Sequence, residues 1–198
     1  MFRRNCSKRS SGQALVEFAL AATLIFTLLA AAVDLGLIFF TMQSLRTAAQ
    51  EGANFGSYPR IVTNNDGAIT EVRLDYDNIV NRVRASAGDP STGFVDMYDL
   101  NNNNNDDESD SGVLNYNNSN AFIYIENPRF ANGNLSNTPT ACPTTTPHQG
   151  MRNAGQYCYV RVTVSYNYRF FFPLAPVFSD TIRLRATHMM QIRSTFIG

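Results

Sequence analysis

Two acidic residues stand where the chain is otherwise strongly apolar. Glu17 opens a run of hydrophobic residues and Asp34 interrupts it. A charge at the middle of a lipid-embedded helix costs ~2.5–3.5 kcal/mol even on the lenient scale, so such groups face a partner, a headgroup or water. Elsewhere the reactive side chains are sparse. His148 falls in a polar loop and His188 on the face of an alternating segment, and there is no Gly-x-Ser-x-Gly, no phosphate loop and no His-Glu-x-x-His. Cys142, His148 and Cys158 lack the paired spacing and the fourth ligand that a zinc site needs. Asp106, Asp107, Glu108 and Asp110 offer hard oxygen ligands of the kind Ca²⁺ takes. Their EF-hand register fails, because Asn104 stands where the loop needs glycine, and the Asn/Asp-rich stretch about 101–112 reads as an unstructured polar loop. No enzyme and no cofactor is expected from these residues.

The elements that carry the two acids are legible. The first nine residues hold Arg3, Arg4, Lys8 and Arg9 and no acid. The remaining bases are all arginine, and the whole chain balances sixteen bases against sixteen acids, which speaks against a nucleic-acid partner. After this basic head, Phe18 to Val33 carries no charge, and the apolar character continues past Asp34 to Phe40. A helix over 18–40 is about 35 Å long at ~1.5 Å per residue, enough to cross a bilayer with some tilt. The bases on its N-terminal side keep the head cytoplasmic and place everything beyond Phe40 outside. The helical pattern continues to about Ser57, with Gln43, Arg46, Gln50 and Asn54 on one stripe. Leu45, Ala48, Ala49, Gly52, Ala53 and Gly56 form the other. Ala48, Gly52 and Gly56 recur every fourth residue, a spacing that lets a helix or sheet approach the backbone closely. Tyr58-Pro59 ends the helix. The alternative is a secretory signal peptide cut after Ala30-Ala31-Ala32, before Val33, releasing a secreted binding protein; without that cut the same segment would anchor one in the membrane. Glu17 and the helical pattern beyond Ala32 argue against a signal peptide.

At the junction, Gly12 is followed five positions later by Glu17 and then Phe18, after a basic leader and before the apolar stretch. This resembles the processing site of type IV pilins and pseudopilins, which a membrane-embedded prepilin peptidase cuts after the glycine. The segments Gly12-Gln-Ala-Leu-Val-Glu-Phe-Ala-Leu, Asp34-Leu-Gly and Ala48-Ala-Gln-Glu-Gly-Ala53 resemble the TadE-like family of the Tad (tight adherence, Flp) pilus system. Val160-Arg-Val-Thr-Val-Ser-Tyr and Ile182-Arg-Leu-Arg-Ala-Thr-His-Met-Met are similar to its C-terminal part, while roughly 61–157 match no known pattern. The resemblance implies a minor pilin or pseudopilin acting in pilus assembly, surface adherence and biofilm formation. It implies a leader, residues 1–12, removed to leave Gln13 as the new terminus and Glu17 as the fifth mature residue. It also implies other Tad pilins, the inner-membrane assembly platform and the lipid bilayer as partners. The protein would be single-pass in the inner membrane of a bacterium, its C-terminal part periplasmic or extracellular. Glu17 would pair with the α-amino group of Gln13 on a neighbouring subunit, and Asp34 would lie near the outer leaflet, meeting headgroups or another subunit.

The exported part, 58–198, reads as a small α+β head. A short helix is expected over 75–87, capped by Asp75 or Asp77, with Ile79, Val80, Val83 and Ala87 on its apolar face. Strands are expected over 94–100, 121–126, 157–168 and 181–192. In the last two, alternation places Cys158, Val160, Val162, Val164, Tyr166 and Tyr168 on one face, and Ile182, Leu184, Ala186, His188, Met190 and Ile192 on another. Such alternation suits antiparallel strands with one covered face, and the long helix is the cover. The connection Phe170-Phe-Phe-Pro-Leu-Ala-Pro is very apolar, and a Thr/Pro-rich loop about 132–155 is expected to be exposed. Cys6 leaves with the leader. Cys142 and Cys158 then form an even pair in an oxidising compartment, and a bridge closing a loop of about 16 residues contributes ~3 kcal/mol.

Gly12 leaves the scissile bond open to close approach by a protease. Gly12→Leu should therefore abolish processing and leave a protein longer by the leader. Intact-mass measurement decides this, and a variant that still matures to the wild-type mass refutes the site.

Overall fold

The computed structural model describes residues 11–87, 97, 121–136, 142, 152–153, 156–170 and 181–193. Helix α1 (Ser11–Gly56) is 46 residues long. Proline is absent until Pro59, and alanine and leucine dominate the first three quarters, so nothing in the run opposes a continuous helix. Its two halves differ in what surrounds them. Leu15, Val16, Phe18, Leu20, Leu24, Ile25, Phe26, Leu28 and Leu29 are exposed. From Asp34 onward a stripe turns inward: Asp34, Thr41, Leu45, Ala48, Ala49, Gly52, Ala53 and Gly56 are all buried. This is the spacing of one helical face. The helix closes where Ser57 donates its N–H to the Ala53 carbonyl (2.9 Å) and its hydroxyl to the Asn54 carbonyl (2.7 Å).

A hairpin follows that the sequence patterning did not announce: β1 (Arg60–Thr63) antiparallel to β2 (Ile69–Arg73). Its turn is built by Asn64, whose Oδ1 accepts the N–H groups of Asp66 (3.1 Å) and Ala68 (2.8 Å). Gly67 supplies the left-handed residue, at φ +80°. Helix α2 (Tyr76–Ala87) begins at Asp75, whose carbonyl accepts the N–H of Ile79 (3.0 Å). It buries Ile79, Val80, Val83 and Arg84. Arg84 directs its Nε to the Met97 carbonyl (3.1 Å).

The remaining strands are β3 (Ile123–Glu126), β4 (Arg129–Ala131), β5 (Asn134–Leu135), β6 (Arg152–Asn153), β7 (Gln156–Arg169) and β8 (Thr181–Gln191). All pairings are antiparallel, and β7 is the centre. It runs against β8 from Tyr159↔Gln191 to Arg169↔Thr181. β3 pairs with the same stretch of β7, Ile123↔Val164 to Glu126↔Arg161, and so lies on the opposite flank. β4 and β6 pair near the start of β7, and β5 extends β4. Val160, Val162, Val164 and Tyr168, with Ile123, Ile125, Leu184 and Ala186, form the buried face. α1 covers β7 and β8, while α2 lies beside α1 toward β3. The protein is thus an α+β fold in which one end of a long helix is built into a two-layer head.

Helix and sheet match in length. Tyr168, near the end of β7, reaches Asp34, and Arg193, just past β8, donates its N–H to the Ser57 carbonyl (2.8 Å). Asp34 to Ser57 is about 34 Å of helix at ~1.5 Å per residue. The eleven residues of β8 cover about 36 Å at ~3.3 Å each. β7 therefore runs back toward the bare half of α1, and β8 returns from it.

Cys142 and Cys158 are joined by a disulfide, with an S–S distance of 2.07 Å and a Cα–Cα distance of 5.9 Å. Both are buried beside Pro128 and Asn127. The Thr/Pro-rich stretch is therefore not uniformly exposed: Cys142 is drawn into the core and two of its short segments pair as β5 and β6. The strand expected at 94–100 lies outside the described residues except for Met97, which is buried. The acidic loop 101–112, His148 and residues 171–176 of the apolar connection also lie outside them.

Gly52 generates a test. A Cβ at this position would stand 2.4 Å from Cγ2 of Val83 and 3.3 Å from Cγ1 of Val162, whereas one at Gly36 meets nothing within 4 Å. Overpacking a filled core costs about 1–3 kcal/mol. Gly52→Leu should lower the thermal midpoint of the detergent-solubilised protein by several degrees, and Gly36→Leu should leave it unchanged. Equal midpoints would show that the close approach is dispensable.

Candidate functional site

The bare half of α1 is the first part of the site. Gly12, Gln13, Glu17 and Phe18 occupy its first turns. Gln13, Glu17 and Phe18 are exposed, and a Cβ at Gly12 would meet no other atom within 4 Å. The Gly12–Gln13 bond lies within the first helical turn and must unwind to enter a protease cleft. The helix from Gly12 to Gly56 is long and apolar enough to cross a membrane, and its apolar stretch is almost wholly exposed. Two of its hydroxyls are satisfied within the helix: Thr23 donates to the Leu20 carbonyl (2.9 Å) and Thr27 to the Thr23 carbonyl (2.7 Å). A lipid-exposed hydroxyl requires such a partner. This segment is a candidate membrane anchor.

Glu17 and Asp34 are not brought together. Seventeen residues separate them, about 25 Å along the axis. Glu17 is exposed, whereas Asp34 is 4% exposed. The expectation that Asp34 meets a headgroup or another subunit needs correction: the Tyr168 hydroxyl donates to Asp34 Oδ1 at 3.1 Å. Tyr168 is itself buried and packs edge-on against Phe170, with ring centroids 5.7 Å apart. Burial first, and the hydrogen bond to Asp34 second, push the Tyr168 hydroxyl up to about 12. Tyr168 was missed as a functional residue in the sequence. The available signal was an unpaired acid on an apolar helix together with a tyrosine closing the alternation of a long strand.

Ala48, Gly52 and Gly56 do accept a close neighbour, and both a helix and a sheet supply it. Val83 and Ile79 of α2 face Gly52 and Gly56 from one side, Val162 and Val160 of β7 from the other. The stripe holds the head of its own chain. Among the described residues no group of three or more His, Cys, Asp and Glu gathers in a way that could hold a metal ion. Asp106, Asp107, Glu108 and Asp110 fall outside them.

The model of the family described as TadE-like protein matches residues 12–54. The matched segment starts at Gly12 and stops two residues before α1 ends, so it takes in both the bare half and the stripe that carries the head. No curated protein and no solved structure matches the chain.

The contact between Tyr168 and Asp34 makes a further test. A hydrogen bond to a charged group contributes about 1.5–3 kcal/mol, so Tyr168→Phe should destabilise the head by that order. Because the folded hydroxyl titrates above the ordinary tyrosine value of 10.0, its contribution is full below pH 10 and is lost as pH rises toward about 12. Denaturant unfolding in detergent across this range should show the wild type converging on Tyr168→Phe at high pH. A constant gap between the two would exclude the proton on Tyr168 as the cause.

Proposed function

Proceeding from a chain whose residues 12–54 are TadE-like, we propose that this protein is a minor pilin or pseudopilin acting in the assembly of a Tad/Flp-type pilus. Its contribution to surface adherence and biofilm formation follows from that role. The observation that carries the reading is the division of α1: a lipid-compatible half that begins with Gly12 and Glu17, continuous with a half built into a folded head. A subunit that passes from membrane to filament needs both, since the apolar half exchanges lipid for neighbouring helices while the head keeps its fold. The role is structural and non-catalytic. The protein sits single-pass in the bacterial inner membrane with its N-terminus cytoplasmic and its head outside, and its partners are prepilin peptidase, other Tad pilins and the inner-membrane assembly platform.

Cleavage after Gly12 creates an α-amino group on Gln13. On a neighbouring subunit Glu17 is its natural counter-ion: opposite charges ~4 Å apart at an effective dielectric near ~20 attract by about 4 kcal/mol before desolvation is counted. Processing and docking are thereby linked, because the amine that Glu17 seeks is created by the cut. The second reading, export by an ordinary signal peptide, places the cut before Val33 and removes the whole bare half.

Sequencing the mature N-terminus separates the readings. Gln13 supports the pilin, Val33 the secreted protein, and an uncut Met1 refutes both. Glu17→Ala should insert and mature normally while sheared surface pili fall sharply. Normal pilus yield from a correctly processed Glu17→Ala protein would show that this charge is not an assembly contact.

A further inference from the structure

The two faces of α1 turn from apolar to polar at different heights. On the face toward the head, Asp34 is buried, Ile38 packs against the core and Thr41 is buried. On the opposite face Gly36, Phe39 and Phe40 are exposed, the two phenylalanines by 66% and 70%. Polar side chains begin there only with Gln43, Arg46 and Thr47, all exposed. Six residues separate Asp34 from Phe40, which places Phe40 on the far side of the helix and about 9 Å further along it.

A bilayer surface that meets α1 squarely cannot suit both faces. Set at Asp34, it leaves Phe39 and Phe40 bare in water. Set at Phe40, it sinks Asp34 below the lipid surface, and with it Tyr168 and the exposed Arg169 that follows. An oblique surface suits both, because it meets the head side of the helix lower than the open side. Across a helix ~10–12 Å wide, an offset of ~9 Å corresponds to a lean of about 40°, at the upper end of the tilts that membrane helices adopt. Length calls for tilt independently: residues 18–40 make about 35 Å of helix, longer than a ~30 Å hydrocarbon core.

We propose that α1 crosses the bilayer obliquely, with the head on the upper side of the lean and outer-leaflet acyl chains following the opposite face up to Phe40. That face is lipid-covered because it continues the bare half without a break. Leu29, Val33, Gly36 and Phe40 form one exposed stripe, and it turns polar one turn higher, at Gln43. Asp34 keeps its hydrogen bond from Tyr168 on the water side, and the lean lifts the sheet clear of the hydrocarbon. The inference rests on α1 crossing a bilayer, as the pilin reading requires, and adds the direction in which the head faces.

The chain contains no tryptophan, so one introduced indole reports alone. Full chains carrying Leu29→Trp, Phe40→Trp or Thr47→Trp, all on this face, are reconstituted into phosphatidylcholine vesicles with brominated acyl chains. Leu29→Trp and Phe40→Trp should be blue-shifted and quenched several-fold more than Thr47→Trp. In aligned bilayers of phosphatidylcholine, orientation-dependent ¹⁵N resonances of wild-type α1 should give a tilt of about 40°, with Asp34 on the upper side and Phe40 beneath. Quenching at Leu29→Trp but not at Phe40→Trp overturns the proposal: unshifted emission puts Phe40 in water, and a blue shift without quenching puts it against a second protein chain. Quenching that is equal at Phe40→Trp and Thr47→Trp overturns the lipid limit. An upright α1, or one leaning with Asp34 beneath, overturns the lean. Each of these results, in protein that floats with the vesicles, leaves the membrane span and the pilin reading standing. Protein that fails to float removes the span, and the lean with it.

Discussion

The absence of two side chains holds this molecule together. At Gly52 and Gly56 the backbone of α1 lies so near Val83, Ile79, Val162 and Val160 that a methyl group has no room at either place. The close approach lets α2 and the sheet converge on the same face of one helix, and Ala48, Ala49 and Ala53 extend the contact without adding bulk. Larger residues there would lift the head away from the helix and open the core along its whole length, because a packed interior has no slack to absorb them.

Around that seam the head is closed at both ends. Tyr168 reaches Asp34 at the bottom and Arg193 reaches the Ser57 carbonyl at the top. The Cys142–Cys158 bridge fastens the start of β7, the strand on which every other strand of the main sheet depends directly or through β4. The bare half of α1 takes part in none of this. One helix thereby carries two solvents' worth of surface: an apolar cylinder that suits lipid and an amphipathic stripe that suits a core.

Sequence pattern was readable where a single period governed a long element. The helix to Gly56, α2 with its Asp75 cap, and the facing alternation of β7 and β8 follow from periods of 3.6 and 2.0. Short pieces escaped. The β1–β2 hairpin turns on the side chain of Asn64, and β5 and β6 are two-residue segments that exist only because neighbouring strands pair with them. No local period marks such elements. Asp34 was recognisable as an acid in need of a partner, but its donor stands more than a hundred residues away, and only the register of β7 against α1 brings Tyr168 to it. The small-residue stripe predicted a close neighbour and the alternation of β7 and β8 predicted the long helix as their cover; that α2 shares the same stripe became visible only in three dimensions.

The equal lengths of the packed helix and β8 have a mechanical consequence. A pull along α1 loads the helix–sheet seam in shear, parallel to the strands. In this direction interdigitated side chains from Thr41 to Gly56 and the bonds at both ends resist together, instead of yielding one after another as they would under peeling. The head and the upper half of the helix behave as one stiff strut, so force applied to the apolar tail reaches the top of the head without being spent on unfolding it.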